Sequence, residues 1–304
     1  MDNITHSLIG AVLGQAGLKR KSGLAMPALI IAANLPDIDA PCAVYGVESL
    51  PMRRGITHGP IALLLLPLVL TALLVGLDRW QARRGTRPAG RLPVRPGWLL
   101  ALCYLGAATH PAFDWLNNYG IRLLEPFSHR WFYGDALFIV DPWLLAMLGA
   151  GTWFSLRRER TGAARWQRPA RLAVVGVLAF VGFNIGLSRF QTMQALSDAP
   201  YPVVAVANAV PLAFWQRDML VRTADGQFDR VRCTLLTCER RPTNLKPTCM
   251  TDPRIAAQAK TDPATRAFLF WSRMPVVDGD ELTDQRYRDG PARGTFSVPL
   301  KPRP

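Results

Sequence analysis

The sequence predicts an α-helical polytopic membrane domain followed by a mixed, β-rich extramembrane domain. Three observations lead there. Long charge-free apolar runs are confined to residues 1–190, arginines crowd into two short loops between those runs, and the tail 199–304 reads as ordinary soluble sequence. The 304 residues therefore divide into a membrane domain, 1–190, and a second domain, 199–304.

Taken in order, two short apolar stretches come first, 4–18 and 24–35, separated by Lys19-Arg20-Lys21. Each is short for a full crossing and also fits a tilted or re-entrant helix. The run 61–77 (IALLLLPLVLTALLVGL) carries no charge and covers about 25 Å of a hydrocarbon core about 30 Å thick. Runs at 98–113, 136–156 and 172–187 bring the total to about six helices, these three and 61–77 being the firm crossings.

The arginines set the orientation. Loop 79–95 contains Arg79, Arg83, Arg84, Arg87, Arg91 and Arg95; loop 157–171 contains Arg157, Arg158, Arg160, Arg165, Arg168 and Arg171. Short basic loops stay cytoplasmic, and the pair of crossings between these loops lets both do so. The N-terminus, 37–59, 110–135 and the tail then face outward. All four histidines fall on that outer side, although the charge rule takes no account of histidine. The expected location is a bacterial inner (cytoplasmic) membrane, multi-pass, with the C-terminal domain periplasmic and the lipid bilayer as partner.

The same topology accounts for the net charge of +14. A nucleic-acid partner is not expected, because the arginines occupy two loops instead of forming one binding face. The opening Met1-Asp2-Asn3-Ile4-Thr5-His6 is acidic where a cleavable signal is basic, so the N-terminus is expected to be retained. In the tail, 219–223 and 227–236 flank Ala224-Asp225-Gly226 as a hairpin. Segments 267–272 (AFLFWS) and 295–298 are further strand candidates. Cys42, Cys103, Cys233, Cys238 and Cys249 lack zinc-ribbon spacing. An outer location allows a disulfide among the last three, with its pairing open.

Four constellations carry potential chemistry: His6 near the start; Asn34-Leu35-Pro36-Asp37-Ile38-Asp39; Arg53-Arg54-Gly55-Ile56-Thr57-His58; and His110-Pro111-Ala112-Phe113-Asp114, continuing to Asn117-Asn118-Tyr119-Gly120. His110 and Asp114 are spaced i, i+4, which stacks them on one helical face. Imidazole with carboxylate, and no thiolate, suits zinc or manganese, with iron also compatible. His6, Asp37, Asp39, His58, His110 and Asp114 exceed the needs of one tetrahedral ion, so two ions sharing the donors also fit. Blander roles stand beside these. Asp37 or Asp39 can cap a helix, His129 reads as a solvated boundary residue, and Asp141 before Pro142 either caps a helix break or supports the site. Arg53 and Arg54 are either headgroup-level surface charges or clamps for an anionic group.

These motifs resemble the bacterial membrane-bound family of LexA-regulated, metal-dependent hydrolases. The likeness runs over roughly residues 1–190: Thr5-His6, then Asn34 to Asp39, then Arg54 to His58 ahead of a long apolar helix, then His110-Pro111 with Asp114 and the following Tyr119-Gly120. It implies His6, Asp37, Asp39, His58, His110 and Asp114 as metal ligands, and leaves His129 outside the set.

The function expected is that of an inner-membrane hydrolase with its site at the periplasmic face, a metal activating water against an ester or phosphoester. Asp39 or Asp37 would take the proton, and Arg54 or Arg53 would neutralise growing charge. Lipids or envelope precursors match a site at headgroup depth. The alternative is a non-catalytic membrane protein with a structural metal and a partner-binding tail. Transport fits less well, because transporter ligands sit near the bilayer midplane.

Overall fold

The computed structural model describes residues 1–197, 202–241, 247–288 and 294–302. Six α-helices occupy the N-terminal part, close to where the apolar runs predict them. Helix α1 (Asn3–Gln15) starts on Asp2, whose carboxylate accepts from the Thr5 backbone N–H. Helix α2 (Ala25–Asn34) runs straight into a 3-10 segment, Leu35–Ser49. Helices α3 (Pro60–Arg83), α4 (Pro96–Trp115) and α5 (Pro142–Arg160) each open with proline, where the missing N–H has no helical partner to lose. Helix α6 (Arg168–Ser197) completes the set. The helix expected from 136 begins instead at Pro142, because Asp141 accepts from the backbone N–H groups of Trp143 and Leu144 and caps it.

Among the described residues, three stretches are long and apolar enough to cross a membrane: Ala25–Ser49, Pro60–Arg83 and Arg168–Ser197. The short run at 24–35 thus gains its length from the 3-10 segment that follows it. Helices α4 and α5, expected as firm crossings, fall outside this group. Arg157, Arg158 and Arg160 load the last turn of α5, and His110 and Asp114 the end of α4. On α3, Leu64, Leu65, Val69 and Leu73 are at least half exposed, as are Leu172, Val175 and Leu178 on α6. Such continuous apolar stripes are unusual against water and ordinary against hydrocarbon.

The chain forms two compact units, the first comprising Met1–Ile38, Arg54–Gly134 and Phe138–Phe183. At its centre Ala28, Leu29, Ala32 and Ala33 of α2 are fully buried. Glycines let the neighbouring helices approach. A Cβ on Gly10 of α1 would lie 2.6 Å from the Leu29 carbonyl oxygen, and one on Gly106 of α4 would lie 2.9 Å from the same atom. Helix α2 is therefore clasped on two sides by backbone contact, the small-residue packing that membrane helices use in place of bulky side chains.

The second unit comprises Asp39–Arg53, Asp135–Leu137 and Asn184–Pro304. Its antiparallel sheet runs in the order β1 (Pro202–Ala209), β2 (Gln216–Thr223), β3 (Phe228–Thr234) and β4 (Thr237–Arg241). The predicted hairpin is β2–β3, closing on the pair Arg222 and Phe228, with Gly226 in the left-handed region at φ +81°. Cys233 and Cys238 face each other across β3 and β4 and form a disulfide, while Cys249 is a free thiol.

Two short helices follow, α7 (Pro253–Thr261) and α8 (Pro263–Trp271), then a second sheet of β5 (Pro275–Asp278), β6 (Glu281–Asp284) and β7 (Ser297–Pro299). AFLFWS, expected as a strand, is most of α8. Asp262 caps that helix through the Thr265 N–H, and Ala267, Phe268 and Trp271 share its buried face at helical spacing. The expected strand at 295–298 overlaps β7. The tail's expected start at 199 lies outside the described residues.

Candidate metal centre

Four side chains from three local structures converge in the first unit. Asp37 sits one turn into the 3-10 segment after α2. His58 ends a short 3-10 turn, Ile56–His58, directly before α3. His110 and Asp114 lie one turn apart on α4, as their spacing predicts. Asp37, His58, His110 and Asp114 are all buried, and they offer ligand atoms that lie within 4.8 Å of one another. This group could hold a metal ion.

The distances are narrower than that bound. The two Nε2 atoms of His58 and His110 are 3.1 Å apart. Asp37 Oδ1 lies 3.7 Å from His58 Nε2 and 3.6 Å from His110 Nε2. Asp114 Oδ2 lies 3.6 and 3.5 Å from the same two nitrogens. Four donors at about 2.0–2.1 Å from one tetrahedral ion would stand about 3.3–3.4 Å apart. Five of the six donor separations therefore lie close to those that such an ion requires.

Ring orientation supports the same conclusion. His110 Nδ1 donates to the Ala33 carbonyl at 2.7 Å, which leaves the lone pair of a neutral imidazole on Nε2, facing the cluster. His58 Nδ1 is 2.9 Å from Thr57 Oγ1, which can accept its proton in the same way. Two imidazole lone pairs and two carboxylates then face a common point, an arrangement that calls for a cation. Outer hydrogen bonds of this kind fix tautomer and ring plane in metal-binding histidines.

Around this core, Asp114 is the most heavily partnered carboxylate. Its Oδ2 lies 3.1 Å from Arg54 Nε, and its Oδ1 pairs with the Met1 amino group and lies 3.3 Å from His6 Nε2. His6 stacks on the His110 ring with centroids 3.8 Å apart, so it borders the four donors without joining them. Arg54 also donates to Asn117 Oδ1 at 3.1 Å and to the Gly120 carbonyl at 3.4 Å, and lies over the Tyr119 ring. Its buried guanidinium thus holds Asp114 and the turn after α4.

Of the six expected ligands, the structure brings together Asp37, His58, His110 and Asp114, and sets His6 against them. Asp39 belongs to the second unit and is not one of the four. At three residues per 3-10 turn, positions two apart point about 120° apart, so Asp37 and Asp39 lie on different faces. Four donors match one ion, where six had left room for two. Asp141 is a helix cap, and exposed His129 pairs with Glu125 at 2.8 Å and is not one of the four donors. The Ala33 carbonyl and the Met1 amino group were not legible as partners in the sequence. A backbone carbonyl and a terminal amine leave no residue-type signal.

No curated protein and no solved structure matches the chain. A family model does match, over residues 1–191, and that span contains every helix and loop that builds the cluster. The chain therefore belongs to the YdjM inner membrane protein family.

Proposed function

We propose that the protein is a metal-dependent hydrolase working at the periplasmic face of the inner membrane on an ester or phosphoester at headgroup depth. The observation that carries this reading is the facing pair of His58 and His110 Nε2 atoms beside the Asp114 carboxylate. Two imidazoles and one carboxylate without thiolate is a donor set of catalytic metal sites, whereas structural zinc sites are typically built with cysteine. A divalent ion held there, zinc or manganese by donor type, would supply Lewis acidity and an activated water.

The chain's own residues have distinct parts in this scheme. Asp114, balanced by Arg54, would complete the donor set with His58 and His110, whose rings the Thr57 hydroxyl and the Ala33 carbonyl orient. Asp37 is the least buried of the four and is the carboxylate placed to accept a proton from the attacking water. Arg54 is a positioning residue, its donors spent on Asp114, Asn117 and Gly120. The resemblance to metal-dependent hydrolases and the Cys233–Cys238 disulfide, which suits an oxidising compartment, support the reaction class and the periplasmic side respectively.

A structural metal is the second reading, favoured by the complete burial of His58, His110 and Asp114. Closed four-ligand sites hold folds together, and catalytic ones keep a position open. The full chain in detergent, assayed on phospholipid phosphoesters and acyl esters before and after chelation, separates the two. The hydrolase reading expects turnover that chelation abolishes, zinc or manganese restores, and Asp37→Asn removes with the metal still bound. Metal-dependent thermal stability with no turnover on either ester class would leave the structural reading in its place.

A further inference from the structure

A concentration of unneutralised charge in the first unit lies apart from the four candidate metal donors. Arg157 and Arg158 at the end of α5, with Arg168 and Arg171 at the start of α6, line a cavity of about 820 Å³ together with Phe154 and Leu172. Among the described residues none of the four arginines has a carboxylate partner; Glu159, the nearest acid in sequence, is taken by Lys19. Arg158 donates to the Ala164 carbonyl at 3.3 Å and Arg171 to the Ala16 carbonyl at 2.9 Å. Arg157 lies over the Trp153 ring. Most of the guanidinium N–H groups are therefore available to a ligand.

Topology requires basic residues in this loop, but it does not require them to converge on one cavity with apolar walls. Phe154 and Leu172 are 49% and 70% exposed, and Val175, one turn further along α6, is 64% exposed. Charge at the mouth and a continuous apolar track beside it are two halves of one amphipathic ligand. We propose that this cavity binds the headgroup of an anionic phospholipid. Its phosphate would take the guanidinium forks, which suit phosphate oxygens in paired hydrogen bonds, and its acyl chain would follow Leu172 and Val175 along α6. Basic pockets between membrane helices on the cytoplasmic side are the setting in which such headgroups bind. Free phosphate would satisfy the charges and leave the apolar track unused.

The test is native mass spectrometry of the full chain in neutral detergent, titrated with phosphatidylglycerol, phosphatidylcholine or inorganic phosphate. The variant is Arg157→Gln/Arg168→Gln, whose side chains hold no backbone carbonyl; Arg79→Gln/Arg83→Gln is an equal charge loss elsewhere. Retention of phosphatidylglycerol over phosphatidylcholine is expected, undiminished by equimolar phosphate. Affinity should fall at least about tenfold in the cavity variant, two charge-assisted hydrogen bonds being lost, and stay at the wild-type value in the other. Equal retention of both lipids, displacement by inorganic phosphate, or equal losses in the two variants would each overturn the proposal. The lipid comparison on the unmodified chain stands even if the variant fails to fold.

Discussion

Asp114 shows how much of the site depends on groups other than ligands. Three histidines, an arginine and an amino group share its two oxygens, so its orientation is fixed before any ion arrives. Arg54→Gln leaves that carboxylate buried without its guanidinium and should cost about 3–5 kcal/mol, read as a lowered thermal midpoint of the full chain. Thr57→Val removes the hydroxyl beside His58 Nδ1 while keeping side-chain volume. It should weaken metal binding about 10–100-fold in a competition titration against a chelator, with the fold intact. At this scale the sequence was informative about donor type. His58, His110, Asp114 and Asp37 are recognisable because imidazole and carboxylate at the end of an apolar helix are costly without a partner. The roles of Arg54 and Asp39 were not legible. One depends on which way a guanidinium turns, the other on a 3-10 pitch that apolar patterning does not reveal.

Among the helices, the approach of α1 and α4 to the Leu29 carbonyl positions the site, since α1 carries His6 and α4 carries His110 and Asp114. Gly106→Leu would force a side chain against Ala32 and the Leu29 carbonyl, displacing α4 from α2. Overpacking of this kind costs about 1–3 kcal/mol or more, and should show as a lower thermal midpoint together with lost metal binding. The helices were legible in the sequence as apolar runs and their prolines as starts. The glycine contacts were not, because a close approach is a property of two elements at once. AFLFWS shows the converse error: aromatic content suggested a strand, and the cap at Asp262 with i, i+3 burial made a helix. Nearby, Asp284 accepts from Ser272 Oγ, the Arg286 side chain and several backbone N–H groups. Burial pushes its carboxyl up, but the Arg286 guanidinium and these hydrogen bonds outweigh burial and hold it below the ordinary carboxylate range. With a folded pKa below the unfolded one, its stabilisation is present above about pH 4 and is lost as pH falls through the folded value. Acid titration of the thermal midpoint should therefore drop below about pH 4 in the wild type, and much less steeply in Asp284→Asn.

Across the first unit, the two charged regions occupy opposite ends of α1. His6, at its start, contacts Asp114, and the Ala16 carbonyl, just past its end, accepts from Arg171. The rise between them is about 15 Å. The sequence set the histidines apart from the arginine loops, and the contacts of His6 and Arg171 lie at opposite ends of α1. That much was legible because charge topology and ligand chemistry are both written in residue types. The number of ions was not, since it depends on which donors share a point. The most direct test is the zinc and manganese content of the full chain purified in detergent, beside His58→Ala/His110→Ala. One ion per chain in the wild type, absent from the variant, is the result that four converging donors predict. No ion in the wild type after reconstitution with either metal, or an ion retained by the variant, would contradict it.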